Sequence, residues 1–281
     1  MKKVNDKDYE GIIPTATTTL YPLIFTDIPY VQETFSFLES RKKTEYLPEK
    51  VLAVELEARY KLTDKFLVEE AITQVIELAS GFLSRGLEFC KRNQKAKYLE
   101  LDLPQVMQLK TECFKDWLWQ NNIKNLKFVA GNALNAYSFC NKRYIGFDQQ
   151  EKVAVINQGL LRYLTFEEKS IVAENVKKIL QKHGGVWITG DFTPAKFIKN
   201  QNANLKDFNK SISELTDRNN LPRFKDLGHV KNWLDERGFT VEIHEFAEAI
   251  PLLTSPQNLS IPKEKVEELL AHAIICVIRL K

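Results

Sequence analysis

Cysteine is scarce in this chain: Cys90, Cys113, Cys140 and Cys276 are the four in 281 residues, and no two form a CxxC pair. That scatter argues against a disulfide framework or a thiolate zinc site and predicts reduced, mostly buried thiols. Histidine is equally sparse, with four residues and no HExxH pattern, so no metal centre is expected. Neither sign of charge dominates. Forty Lys and Arg against 37 Asp and Glu leave +3, too little to argue for nucleic acid or a membrane surface as partner. No apolar run approaches the ~20 residues needed to span a bilayer, and MKKVNDKDYEGIIPT lacks the apolar stretch of a signal peptide. A cytoplasmic protein is expected. What is present is ordinary, with 44% hydrophobic and 27% charged residues, and 281 residues can bury either one large core or a core plus a small accessory unit.

From about residue 50 onward, helix-like and strand-like segments alternate. A helix is expected over Glu49 to Leu62, continuing over Phe66 to Thr73. The first strands are expected over Gln74 to Leu78, Lys97 to Leu101, Leu126 to Ala130, Val153 to Ile156 and Val186 to Thr189. Pro104 to Asn121 reads as a helix with Val106, Leu109, Cys113 and Trp117 on one side. Thr165 and Glu168 form a capping box ahead of Val172, Val176 and Ile179 at helical spacing. Val230 to Arg237 and Lys263 to Ala271 read as helices; Thr240 to Phe246 and Ile274 to Leu280 read as strands. The pattern predicts an α/β fold: a Rossmann-like, seven-stranded, mostly parallel sheet with helices on both faces and an antiparallel C-terminal strand.

Two regions fall outside the alternation. Residues 1–48, rich in Thr, Pro and Tyr, are expected to wrap over the site as helices and turns ahead of a main domain at 49–281. Residues 192–228 form a polar, Asn-bearing insert, long for an ordinary connection. It reads either as a solvated excursion or as a lid.

The stretch from Val75 to Asp102 is the most specific. A strand ends in Glu77-Leu78-Ala79-Ser80-Gly81, a helix-compatible segment follows, and a second strand stops at Asp102. Strand, tight turn, helix, strand and acid hold adenosine-containing ligands. The turn lets backbone approach the ligand, and the acid accepts from ribose hydroxyls. Asp102 also reads as a helix N-cap before Pro104. A nicotinamide enzyme would want a full GxGxxG, and this chain supplies only Gly81 and Gly86 beside Ala79.

VIELASGFLSRGLEF followed by KYLELDLPQVMQLK resembles the leucine carboxyl methyltransferase family and its bacterial O-methyltransferase relatives of the polyketide type. VINQGLLRYLT from Val155 to Thr165 is similar to that family's fourth-strand motif. Ala58-Arg59-Tyr60 matches its arginine ahead of the first strand, and IIPTATTTLYPLIFTDIPY is similar to the N-terminal segment of some bacterial members. The matches run in family order. The resemblance implies S-adenosyl-L-methionine (SAM) as cofactor and a small-molecule methyl acceptor, methylated on a carboxylate or hydroxyl, with the oligomeric state left open.

The same resemblance implies roles. Arg59 would pair with the cofactor's methionine carboxylate, with Glu77, Ala79, Ser80 and Gly81 shaping the turn beneath. Asp102 would bind the ribose beside Leu103. Asn132 and Ala133 would hold adenine, the former through its carbonyl. Gln158 and Gly159 would face the sulfonium. For the acceptor, Thr17, Tyr21, Tyr30 and Tyr163 are candidate wall residues, and Asp191, Tyr163 and His229 are candidate bases. Ala79, Thr17 and Gln158 depart from the family pattern. An alanine at 79 is tolerable where φ is negative. These departures support an alternative: a methyltransferase fold that binds a nucleoside or a protein partner without turnover.

Overall fold

The computed structural model describes residues 13–41, 50–140, 146–194 and 221–281. Its centre is a seven-stranded sheet: β1 (Gln74–Leu78), β2 (Lys97–Asp102), β3 (Leu126–Ala130), β4 (Val153–Asn157), β5 (Gly185–Thr189), β6 (Phe239–Glu245) and β7 (Ile274–Leu280). The order is β3-β2-β1-β4-β5-β7-β6. The neighbours from β3 to β5 pair in parallel. β7 runs antiparallel to both β5 and β6, the expected hairpin. The strand also enters the sheet between its two partners. Its apolar, β-branched start, fully buried from Ile274 to Ile278, suits an interior place.

Period-two alternation divides the core. On β1, Val75 joins one cluster while Ile76 and Leu78 join the other; on β4, Ala154 and Ile156 oppose Val153 and Val155. The first cluster is covered by α1 (Ile13–Thr18), α2 (Leu20–Leu23), α3 (Val31–Ser40), α4 (Leu52–Glu69), α5 (Arg85–Arg92) and α6 (Pro104–Gln120). The second is covered by α7 (Ala136–Cys140), α8 (Phe166–His183) and α9 (Leu227–Asp235). Helices on both faces are what a mostly parallel sheet requires.

The helix expected from Glu49 and continuing to Thr73 is one unbroken element that ends at Glu69. Nothing between Leu62 and Phe66 breaks a helix, and the buried Thr63 hydroxyl donates back to the Arg59 carbonyl at 2.9 Å. The expected start at Glu49 lies outside the described residues. The α8 capping box is present: Thr165 Oγ1 accepts from the Glu168 N–H at 3.2 Å, and Glu168 Oε2 accepts from the Thr165 N–H at 2.8 Å. No described helix is long and apolar enough to cross a membrane.

The strand order reverses between β1 and β4. Open α/β sheets bind ligands at such a switch point, beyond the carboxyl ends of the strands.

Candidate functional site

Register brings the strand ends level. Leu78 pairs with Leu101 on one side and with Asn157 on the other. The segments that follow, Ala79 to Gly81, Asp102 to Leu103 and Gln158 to Gly159, therefore emerge side by side. Together with Gly131 to Ala133 after β3 and Gly190 to Asp191 after β5, they line one cavity. Arg59 and Glu55 from α4 and Ala16, Thr19 and Leu20 from the N-terminal helices close its other side.

Asp102 organises the turn. Its Oδ2 accepts from the Gly81 N–H at 2.7 Å and its Oδ1 from the Leu103 N–H at 2.7 Å. Burial raises its pKa, and these two N–H groups oppose the rise. It is not the cap of α6, where Leu103 holds the N-cap position. Each carboxylate oxygen keeps a further lone pair for a ligand. Gly81 sits at φ +55°, as a tight turn demands. Ala79 does so too, at φ +53°, which corrects the expectation of a negative value. The turn forces the left-handed conformation whatever the residue, and here a Cβ endures it. Gly86 allows α5 to press onto β2: a Cβ there would collide with Glu100, Tyr98 and Leu126. Beneath the turn, fully buried Lys110 pairs with fully buried Glu100 and donates to Ser80 Oγ at 3.3 Å.

Arg59 points across the ends of β4 and β5. Its stem fits over Gly190, where a side chain would meet Arg59 Cδ at 3.1 Å, and Nη1 lies 4.0 Å from the place of a Cβ on Gly159. It is not an exposed helix arginine. Its Nε is buried with no partner among the described residues, and burial lowers its pKa. Gln158 lines the cavity, yet its amide is held by the wall. Nε2 donates to Thr63 Oγ1 at 2.5 Å and to the Arg59 carbonyl at 3.3 Å, and Oε1 accepts from Arg85 at 3.3 Å. Buried Arg85 also donates to Asp64 and to the Tyr60 carbonyl, and approaches Glu77 at 3.6 Å. Glu77 in turn accepts from Tyr98 Oη at 2.7 Å.

Asn132 is buried, and its Oδ1 accepts from the Leu134 N–H at 2.9 Å. The group without a partner among the described residues is Nδ2. The carbonyl expected to read adenine is therefore committed to a backbone cap, and the available group is a donor. Ala133 and Leu103 line the same wall.

The acceptor-side expectations fare less evenly. Tyr163 lines the cavity; Thr17, Tyr21, Tyr30 and His229 do not. Thr17 is buried, while its neighbours Ala16 and Thr19 face the cavity. Tyr21 packs on Phe25 and Phe35. Tyr30 stacks 4.9 Å from Trp117 and hydrogen-bonds Lys91 through its hydroxyl at 3.1 Å. His229 packs against Phe166 and Phe224. Asp191 reaches the cavity, but its oxygens accept from Gly159 at 2.6 Å, Leu160 at 2.7 Å, Leu161 at 2.9 Å and Asn157 Nδ2 at 2.7 Å. Four donors make it the organiser of the loop after β4 rather than a ready base. Unforeseen are Arg162 and Arg223, both on the cavity wall. Arg162 sits inside the recognised QGLLRYL run; Arg223 had no local signal. Most of the expected lid, 195–220, lies outside the described residues, and its flanks Thr193 and Arg223 line the cavity. Among the described residues, no group of three or more His, Cys, Asp and Glu could hold a metal ion.

Comparison with known proteins identifies the family and the fold. The family model for leucine carboxyl methyltransferase matches residues 29–177, more than half of the chain. A Mycobacterium tuberculosis protein described as a candidate SAM-dependent methyltransferase is 24% identical over 220 residues, covering 73% of this chain and 67% of that protein. Among solved structures, a DUF574 family protein from Streptomyces avermitilis superposes with a TM-score of 0.63 at 11% identity, covering 95% of this chain and 97% of its own. A candidate methyltransferase from Thermobifida fusca gives 0.52 at 13% identity, covering 97% and 94%. At such identities these two show the fold alone. The chain therefore belongs to the leucine carboxyl methyltransferase family and, by that membership, is a SAM-dependent methyltransferase.

Proposed function

We propose that this protein methylates an oxygen, carboxylate or hydroxyl, of a small molecule. The observation that carries this reading is the convergence of three groups on one cavity. They are a half-buried arginine with an unpartnered Nε, a turn pinned by a buried aspartate, and a buried amide with an unpartnered Nδ2. An unpartnered buried donor costs about 1–3 kcal/mol, and a ligand with matching acceptors removes that cost. SAM fits: Arg59 would hold its methionine carboxylate, the Ala79 to Gly81 backbone its amino acid part, and Asp102 its ribose hydroxyls. Asn132, Ala133 and Leu103 would take the adenine, with Asn132 Nδ2 donating to a ring nitrogen. Gln158 and Gly159 would lie near the sulfur.

When bound, SAM supplies an electrophilic methyl group, so that an acceptor oxygen forms the new O–C bond as the C–S electron pair withdraws to sulfur. The chain contributes alignment and water exclusion. An ionised carboxylate acceptor needs no base, and the saturation of Asp191 by four donors supports that choice. A hydroxyl acceptor would need one, and Tyr163 is the titratable hydroxyl on that wall.

Isothermal titration with S-adenosylhomocysteine tests the reading. Wild type is expected to bind, and Asp102→Ala to lose at least ~1 kcal/mol of binding free energy, as for a hydrogen bond to a charged group. An absence of binding by the wild type would overturn the cofactor assignment. Unchanged affinity in the variant would reduce Asp102 to a brace for the turn. Screening a metabolite mixture with methyl-labelled SAM then identifies the acceptor by mass.

A further inference from the structure

The cavity has a second cationic end. Arg162 stands on the short turn Leu161–Tyr163 after β4, and Arg223 arrives from a segment sixty residues further along. Lys169, on the first turn of α8 and 3% exposed, fastens the two together: its Nζ donates to the Leu164 carbonyl and, at 3.1 Å, to the Pro222 carbonyl. Both guanidinium groups are thereby brought to one wall of the cavity, with Tyr163 beside them. Arg223 has no hydrogen-bond or ion-pair partner among the described residues. Burial and the charge of Arg162 push its pKa down to about 10, and Arg223 in turn helps lower Lys169 to about 8. Two acids face this side of the cavity: Asp191 is spread over four donors and interacts with Arg59 and Lys169, and Glu55 on α4 interacts with Arg59.

Like charges held together on a half-buried wall repel, and an oxyanion placed between them converts that repulsion into charge-assisted hydrogen bonds. Arg59 does not need this anion, because the methionine carboxylate of the cofactor would answer it. We propose that Arg162 and Arg223 form a subsite for an oxyanion on the methyl acceptor, so that this enzyme selects acidic small molecules. The proposal rests on the cofactor assignment above. It names planar or tetrahedral oxyanions as the shared chemistry, with a carboxylate as the simplest acceptor group.

Ligand-observed saturation-transfer NMR on the full chain, loaded with S-adenosylhomocysteine, provides the test. The probes are phenylacetate, phenyl phosphate and the uncharged isostere phenylacetamide. At least one oxyanion is expected to bind about tenfold or more tightly than the amide, the value of one charge-assisted contact. Carboxylate and phosphate are separated by which of the two binds. Arg223→Gln and Arg162→Gln should each weaken oxyanion binding by a similar factor. The lysine variants should recover part of it, and S-adenosylhomocysteine affinity should stay within about twofold. That retained affinity also reports that the variants fold. Equal binding of amide and oxyanions, absence of binding by both oxyanions, or glutamine variants that bind them as well as wild type would overturn the subsite. Failure of the wild type to bind S-adenosylhomocysteine would instead overturn the cofactor reading, and the two failures are read in separate titrations.

Discussion

Ala79 carries the sharpest residue-level strain near the site. An L-residue with a Cβ in the left-handed region costs roughly 1–2 kcal/mol relative to glycine. Here the neighbouring Ser80 N–H is tied to the Leu101 carbonyl at 3.3 Å, and Gly81 to Asp102, so the turn cannot relax. Ala79→Gly is expected to raise unfolding free energy by about 1 kcal/mol, after allowing for the extra freedom of glycine in the unfolded chain. Urea denaturation measures this, and a loss of stability would mean that the methyl group contributes packing that outweighs the strain. The departure at Gln158 is absorbed differently. Its amide finds Thr63, Arg59 and Arg85, and its donor side faces the Arg59 carbonyl and a hydroxyl whose proton that carbonyl already takes, so a carboxylate at the same place would find no donor there as they stand.

Among the elements, α8 joins stability to the cavity. Its buried Lys169 has a pKa lowered to about 8, chiefly by burial. Between pH 8 and 10.5 the unfolded chain holds a proton at this position that the folded chain has released. Stability therefore rises with pH through this window, on the order of 1 kcal/mol per pH unit. Tyrosine and cysteine titrations act in the same range, so the observable is the difference between wild type and Lys169→Met. That difference should shift in favour of wild type from pH 8 to 10.5 in denaturant titrations; a pH-independent difference would show that the amine stays charged in the folded state. The helix α4 has a comparable double task. One unbroken helix carries Arg59 to the cavity while Thr63 and Asp64, one turn on, engage Gln158 and Arg85.

For the whole molecule, β7 is the strand that joins two parts of the sheet, since β6 reaches β5 only through it. Cys276 lies in its middle, fully buried, and burial pushes its thiol up to about 12. Buried Cys90 is likewise raised to about 12. Neither thiolate forms near pH 8, and reagent reaches Cys276 only when the sheet opens. Mass-resolved labelling with a thiol reagent should modify Cys276 at a rate that follows global unfolding as urea is added. Rapid modification without urea would show that β7 detaches locally.

The residues alone determined the positions of β1, β3 and β7, the α8 capping box, and the ordered motifs that mark the family. These features rest on local chemistry: alternation reports burial on two faces, a capping box satisfies its own helix end, and a tight turn is written in small residues. That Tyr21 and Tyr30 pack away from the cavity is not legible in the sequence, because an aromatic near a motif carries no record of which distant surface it meets. Asn132 lines the cavity, but which end of its amide stays open depends on the Leu134 N–H claiming Oδ1. Only the tertiary structure decided that β7 enters between β5 and β6, that Ala79 takes a positive φ, and that Asp191 is consumed by a loop. It alone brought Arg223 beside Arg162. The physical reason is common to all four: each depends on contacts between segments far apart in the chain, which only the closed sheet brings together.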